Sequence, residues 1–347
     1  MNTHELSLSI IIPVFNVEKY IRQCLTSVYD QGLPDSSFEV IVINDGTTDN
    51  SIYVIQDIIN QHSNITVFNQ ENQGISATRN KGLKLAKGKY IFMIDSDDIL
   101  ISNSLSKLLD LALSNKYDLV VADYKEMNDN DISLYKYEYS NNKTTSFIEK
   151  NGEQLLLEDL NPRKCYIWRI LYNRDFLIKE KISFIPNIIF EDIPFVHLCF
   201  LKAKKCLRIH QTVYIYRRGI QTSETSLFSK KKALDLSIAI SSLWEMSKQN
   251  GLPYNVRIKL QDDTFVSFSI LMYSIVHNIN SPNDRKEIIK YLKGKTPDLH
   301  FNHGIKQRIS TIIYHHLIYS YINLRIISNK HIKPFFKLLS SFFQDKK

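Results

Sequence analysis

Tyr90-Ile91-Phe92-Met93-Ile94-Asp95-Ser96-Asp97-Asp98 sets an apolar run directly against a cluster of acids. A short apolar run broken off by charge reads as a strand buried on both faces, the kind found inside parallel sheets. Working outward, similar runs recur at residues 9–15 (SIIIPVF), 38–43 (FEVIVI), 65–68 (ITVF) and 119–122 (LVVA). Helical spacing fills the gaps between them. Ile21, Leu25 and Val28 share one face, with Asn16 placed to cap it; Ile52, Ile55 and Ile59 share another. Residues 75–86 form a third helical stretch, and Leu105, Leu108, Leu109 and Ala112 mark a fourth. Alternating strands and helices predict βαβ units and a mainly parallel sheet. In such sheets ligands bind beyond the carboxyl ends of the strands, so the loops after these runs are where chemistry is expected.

Beyond about Lys230 the pattern turns helical, with Ala233, Leu236, Ile240 and Leu243 on one face and Pro253, Pro282, Pro297 and Pro334 as punctuation. At 347 residues the chain is long enough for two domains, and the change of pattern places them at 1–228 and 229–347. Residues 125–150 are polar and aperiodic, and read as a variable loop or insertion. The net charge of +8 is uneven. Residues 285–347 hold 13 Lys/Arg against 3 Asp/Glu, so the basicity belongs to the C-terminal part. No apolar stretch is long enough to span a bilayer, and the first residues lack the pattern of a secretory signal. Cys24, Cys165, Cys199 and Cys206 form neither a C-x-x-C pair nor a zinc-finger spacing, which points to reduced cysteines in a cytoplasmic chain.

In an extended segment residues two apart point the same way, so Asp95 and Asp97 are expected to converge at the sheet mouth. Two carboxylates there make half a site for Mg2+ or Mn2+, whose shell phosphate and water complete. On pattern alone, turn-forming or helix-capping aspartates explain the cluster equally well.

The neighbouring blocks decide between them. Ser9-Ile-Ile-Ile-Pro-Val-Phe-Asn16, Asn44-Asp-Gly-Thr-Thr-Asp-Asn-Ser51, Asn72-Gln-Gly-Ile-Ser-Ala-Thr-Arg-Asn80, Asp95-Ser-Asp-Asp98 and Glu191-Asp192 follow in order. Together they resemble family 2 of the glycosyltransferases, from residue 9 to about 226. The resemblance implies the GT-A fold: a mainly parallel central sheet of the nucleotide-diphospho-sugar transferase type, here with a C-terminal helical region. It implies an inverting transfer of a sugar from a nucleotide-sugar, with a UDP-sugar as donor, in bacterial surface-polysaccharide synthesis such as capsule or lipopolysaccharide. Pro13 and Phe15 would frame the base, with Asp45 and Asn72 at its edge. Arg79 would reach the ribose or pyrophosphate, and Asp95 with Ser96 would border the donor. Asp97, with Asp95, would hold Mn2+ or Mg2+. Asp192 would be the catalytic base, in an apolar setting that raises its pKa. Trp168, Arg169, Glu191, Arg217 and Arg218 would border the acceptor or clamp the diphosphate. One departure is Asn44 where the family often has aspartate; Asp45, the base-contact position, is kept.

Other functions fit the residues less well. Gly294-Lys295-Thr296 copies the end of a P-loop, but Ile289 stands where its first glycine belongs. No G-x-G-x-x-G follows the first strand, and no G-x-S-x-G or H-E-x-x-H is present. A nucleotidyltransferase would need a glycine-rich basic loop where residues 14–20 carry only Lys19. A catalytically inactive nucleotide-sugar-binding homologue would not need both acidic pairs intact. In the tail, Ile312, Ile313, Leu317, Tyr321 and Leu324 fall near one helical face, and Pro334 to Leu339 with Phe342-Phe343 add aromatics among lysines. That tail suggests either packing or peripheral contact with the anionic inner face of the cell membrane, near lipid-linked or glycan acceptors. Nucleic acid is not expected as a partner.

Overall fold

A computed structural model describes residues 6–132, 146–220 and 228–327. The chain forms two compact units, Met1–Ser223 and Glu224–Lys347.

The first unit is built on a nine-stranded sheet. Its strands are β1 (Leu8–Val14), β2 (Phe38–Asp45), β3 (Ile65–Gln70), β4 (Tyr90–Met93), β5 (Ile99–Leu100), β6 (Leu119–Asn128), β7 (Phe147–Lys150), β8 (Ile170–Asn173) and β9 (Cys206–Arg218). The order is β3-β2-β1-β4-β8-β6-β9-β5, with β7 also on β9. β3, β2, β1 and β4 run parallel, β8 is antiparallel to both its neighbours, and β6 and β9 run parallel to each other. β1 is buried along its whole length, as its unbroken apolar run requires.

The unit's helices are α1 (Ile21–Tyr29), α2 (Gln56–Gln61), α3 (Ile75–Leu85), α4 (Ser104–Asn115), α5 (Asp129–Ile132), α6 (Gly152–Gln154), α7 (Arg174–Lys179) and α8 (Asp192–Lys202). α1 buries Ile21, Cys24, Leu25 and Val28, the face its spacing predicted. Asn16 does not cap it. Asn16 takes a left-handed φ of 52°. Its side-chain oxygen accepts from Thr48 N at 2.9 Å and Thr47 Oγ1 at 3.0 Å, which laces the loop after β1 to the loop after β2.

One sequence reading changes. Residues 125–150 are not one loop: β6 continues to Asn128, because β9 pairs with it as far as Asn128↔Arg218. Residues 214–218, which include Arg217 and Arg218, are the end of β9. Their alternating tyrosines and arginines hide a strand whose two faces meet different partners.

The second unit contains α9 (Lys230–Ser247), α10 (Tyr254–Asn278), α11 (Pro282–Lys295), α12 (Ile305–Ile312) and α13 (Ile318–Ile327). α9 buries Ala233, Leu236, Ile240 and Leu243 as expected. The face expected of the last helices is wrong. Tyr314, Ile318 and Ile322 are buried, while Ile312, Leu317 and Leu324 are exposed. Pro334 to Phe343 lie outside the described residues. Among the described residues no helix is long and apolar enough to cross a membrane.

Candidate active site

The acidic cluster closes the carboxyl end of β4. The amide of Asp98 donates to the carbonyl of Asp95 at 3.0 Å, so the segment is a tight turn. The expectation of an extended Asp95-Ser96-Asp97 is corrected by that hydrogen bond. Ser96 and Asp98 are buried by the turn. Asp98 is its anchor, accepting from Tyr214 Oη at 2.7 Å and from the Arg217 amide at 2.7 Å. Burial, with Asp97 and Asp95 alongside, pushes its carboxyl well up.

Arg217 binds the turn from the other side. Its Nε donates to the Asp97 carbonyl at 2.7 Å, Nη2 to Gln23 Oε1 at 2.7 Å, and Nη1 to Asp129. Its guanidinium also lies 4.8 Å from the centre of the Tyr20 ring. These contacts occupy its donors with protein, which makes it a brace between β9, α1 and α5. Arg218 lies 5.1 Å from the Tyr216 ring centre and half-exposed, free of that brace. Beside Arg218, Tyr20 and Asp129 opens a cavity of about 650 Å3 between the loop after β1 and the end of β6.

Arg79 is the centre of the site. It lies on α3, buried, with Nη2 donating to Asp95 Oδ1 at 2.6 Å and Nη1 to Glu191 Oε1. Burial opposes its charge, but Asp95, Glu191 and Asp192 outweigh that and hold it protonated. Arg79, which the resemblance places at the ribose or pyrophosphate, joins the two acidic motifs. The same helix secures the second motif by other contacts. Ser76 Oγ donates to the Ile188 carbonyl, and Asn80 exchanges two hydrogen bonds of 2.9 Å with the Phe184 backbone.

Glu191 is buried, and its Oε2, like Arg79 Nε, has no hydrogen-bond partner among the described residues. Asp192 is the first residue of α8, where a negative charge suits the helix N-terminus, and it accepts from the Ile193 amide at 2.8 Å. Among the described residues no other side chain donates to its carboxylate. Burial raises both carboxyls, against the pull of Arg79, and Asp192 reaches about 6. Asp97 also reaches about 6, through burial and then the charge of Asp95. No other described residue donates a hydrogen bond to the Asp97 carboxylate.

Among the described residues no three His, Cys, Asp or Glu side chains form a ready-made metal cage. The donor set nevertheless fits a hard cation that takes one or two carboxylates plus substrate phosphate. Among the described residues Asp97 forms no salt bridge, and its repulsion with Asp95 is the kind a cation relieves.

Asp45 ends β2, buried, with Gln70 Nε2 at 2.7 Å and the amides of Gln73 and Gly74 at 2.9 Å. It therefore shapes the turn into α3. Gly46 (φ 74°) leaves room for that turn, since a Cβ there would meet the Asn72 amide at 2.9 Å. Asn72 itself is exposed. Pro13 is buried within β1 opposite Ile43, whereas Phe15 is 40% exposed and available for stacking. Trp168 is buried, stacked 4.1 Å from Tyr214, and so supports Asp98 indirectly. Arg169 Nε donates to the Ala122 carbonyl at 3.1 Å, and burial beside Arg208 lowers its pKa. Sequence reasoning missed Tyr214, Gln23, Asp129 and Ser76. The aromatic–polar alternation of β9 was the available signal for Tyr214 only.

The family model for glycosyl transferase family 2 matches residues 9–175. The uncharacterized glycosyltransferase EpsJ of Bacillus subtilis (strain 168) is 33% identical over 287 residues, covering 82% of each chain. The chain belongs to glycosyl transferase family 2. It resembles the crystal structure of S. aureus TarS 1-349 in complex with UDP-GlcNAc, with a TM-score of 0.70 at 19% identity over 93% of this chain and 89% of that one. The mannosyltransferase PcManGT from Pyrobaculum calidifontis, in complex with GDP-Man and Mn2+, gives 0.52 at 13% identity over 95% and 89%. These likenesses show the GT-A fold with C-terminal helices. As a member of glycosyl transferase family 2, the chain is a glycosyltransferase, and both acidic motifs sit in one sheet-mouth site.

Proposed function

We propose that the chain transfers a sugar, with inversion, from a UDP-sugar to a hydroxyl of a glycan or lipid-linked acceptor in surface-polysaccharide synthesis. The observation that carries this reading is Arg79 bridging Asp95 and Glu191, beside Asp192. Through that bridge one rigid cluster has a donor end and an acceptor end. UDP as the nucleotide is supported by the TarS complex with UDP-GlcNAc.

Phe15 stacks on the base, and Asp45 and Asn72 shape the turn at its edge. Arg79 fixes Asp95, while Arg217 and Asp98 fix Asp97. Asp97 and Asp95 would hold Mn2+ or Mg2+, which supplies neutralising charge to the departing diphosphate. Asp192 takes the proton from the acceptor hydroxyl as its oxygen bonds to the anomeric carbon. The bond from that carbon to the diphosphate oxygen breaks, and its electron pair leaves with UDP. A boundary at 1–228 and 229–347, peripheral contact through 285–347 and a cytoplasmic location complete the reading.

The test is Asp192→Asn. Transfer should fall at least about 100-fold, the range of one general base, while calorimetry finds donor binding unchanged. Wild-type turnover in the variant would remove Asp192 from that role.

A further inference from the structure

The solvent face of α12 is inverted for a surface helix. Gln307 turns inward, where its amide donates to Asp262 at 2.6 Å and its carbonyl accepts from the His303 amide at 2.9 Å. On the opposite side Ile305, Ile309 and Ile312 are 78%, 50% and 55% exposed. Their i, i+4, i+7 spacing makes one stripe. Lys306 and Arg308, both exposed, flank that stripe on either side. No Asp or Glu occurs between residues 299 and 327, where Lys306, Arg308 and Arg325 do. The carboxylate nearest in contact, Asp262, is on the inward side with Gln307.

We propose that this face of α12 docks on an anionic lipid bilayer. The inference deepens the membrane part of the reading above and rests on it. Three isoleucines enter the boundary between headgroups and acyl chains, while the flanking cations reach lipid phosphates. A second copy of the chain is the poorer occupant. A two-fold contact through this face would set Lys306 and Arg308 of each copy against the same cations of the other.

The experiment uses the full chain and cosedimentation with phosphatidylglycerol–phosphatidylcholine vesicles, beside vesicles of phosphatidylcholine alone. Wild type should bind the anionic vesicles and leave the neutral ones largely free, with binding weakened by salt. Ile309→Glu with Ile312→Glu should lower the partition coefficient at least about tenfold, since each buried isoleucine contributes at that scale. Lys306→Glu with Arg308→Glu should do the same. Circular dichroism and Tm verify that the variants fold. Equal binding by wild type and both variants, or no wild-type binding, overturns the proposal. So does a wild-type oligomer, seen by light scattering, that the isoleucine variant converts to monomers. UDP binding by calorimetry is read in parallel: its absence from a vesicle-binding wild type sinks the transferase reading and leaves this one standing.

Discussion

At the residue scale, the site turns on which carboxylates are already satisfied. Asp98 accepts two hydrogen bonds and Asp95 accepts from Arg79, whereas Asp97 and Asp192 accept from no other side chain among the described residues and both reach a pKa of about 6. That division was beyond the sequence, which shows a row of acids and not which donors reach each one. The two raised groups predict different pH behaviour. A general base works ionised, so activity is full above its pKa and is lost as pH falls through it. A metal ligand titrates in competition with its cation, so saturating Mn2+ abolishes its share of the limb. At saturating Mn2+, kcat/KM should therefore fall on the acid side with a midpoint near 6, the value to which burial raises Asp192. At low Mn2+ the limb should steepen as protons also reach Asp97. Initial rates at two Mn2+ concentrations, from about pH 5 to 8, measure this. A limb that vanishes at saturating Mn2+ would assign the titration to Asp97 alone.

At the element scale, α3 acts as a clamp. Its residues Ser76, Arg79 and Asn80 reach the segment before α8, more than a hundred residues later in the chain. The strands β1, β2 and β4 were legible because burial on both faces forces nearly unbroken apolar runs. β9 was not, because its faces differ, and β5 is only two residues long. The clamp was equally hidden: Asn80 reads as a helix-surface residue until the far backbone it satisfies is seen. Asn80→Ala would strand the amide and carbonyl of buried Phe184. Each unsatisfied buried group costs roughly 1–3 kcal/mol. The variant should lose stability on that scale in urea unfolding, and lose transfer because Glu191 and Asp192 shift away from Arg79. Asn80→Asp, which keeps the acceptor for the Phe184 amide, should lose less of both. Wild-type stability in Asn80→Ala would show that the clamp contributes little.

At the scale of the whole molecule, the chain carries two tryptophans, and the two compact units hold one each. Trp168 is buried against Tyr214 in the first unit, and Trp244 is buried in the second with Nε1 donating to Asp298 at 3.0 Å. Each therefore reports the unfolding of its own unit. Every residue assigned to the donor lies in the first unit, so a ligand that binds only there stabilises only that transition. In the background Trp244→Phe, UDP at about 100 times its Kd should raise the unfolding free energy read by Trp168 by about 2.7 kcal/mol. In the background Trp168→Phe, the Trp244 transition should stay where it is. Equal shifts in both would mean that the units unfold as one, and that the second unit takes part in holding the donor. A shift in Trp244 alone would move the donor site out of the sheet mouth, and with it the roles given to Asp97 and Arg79.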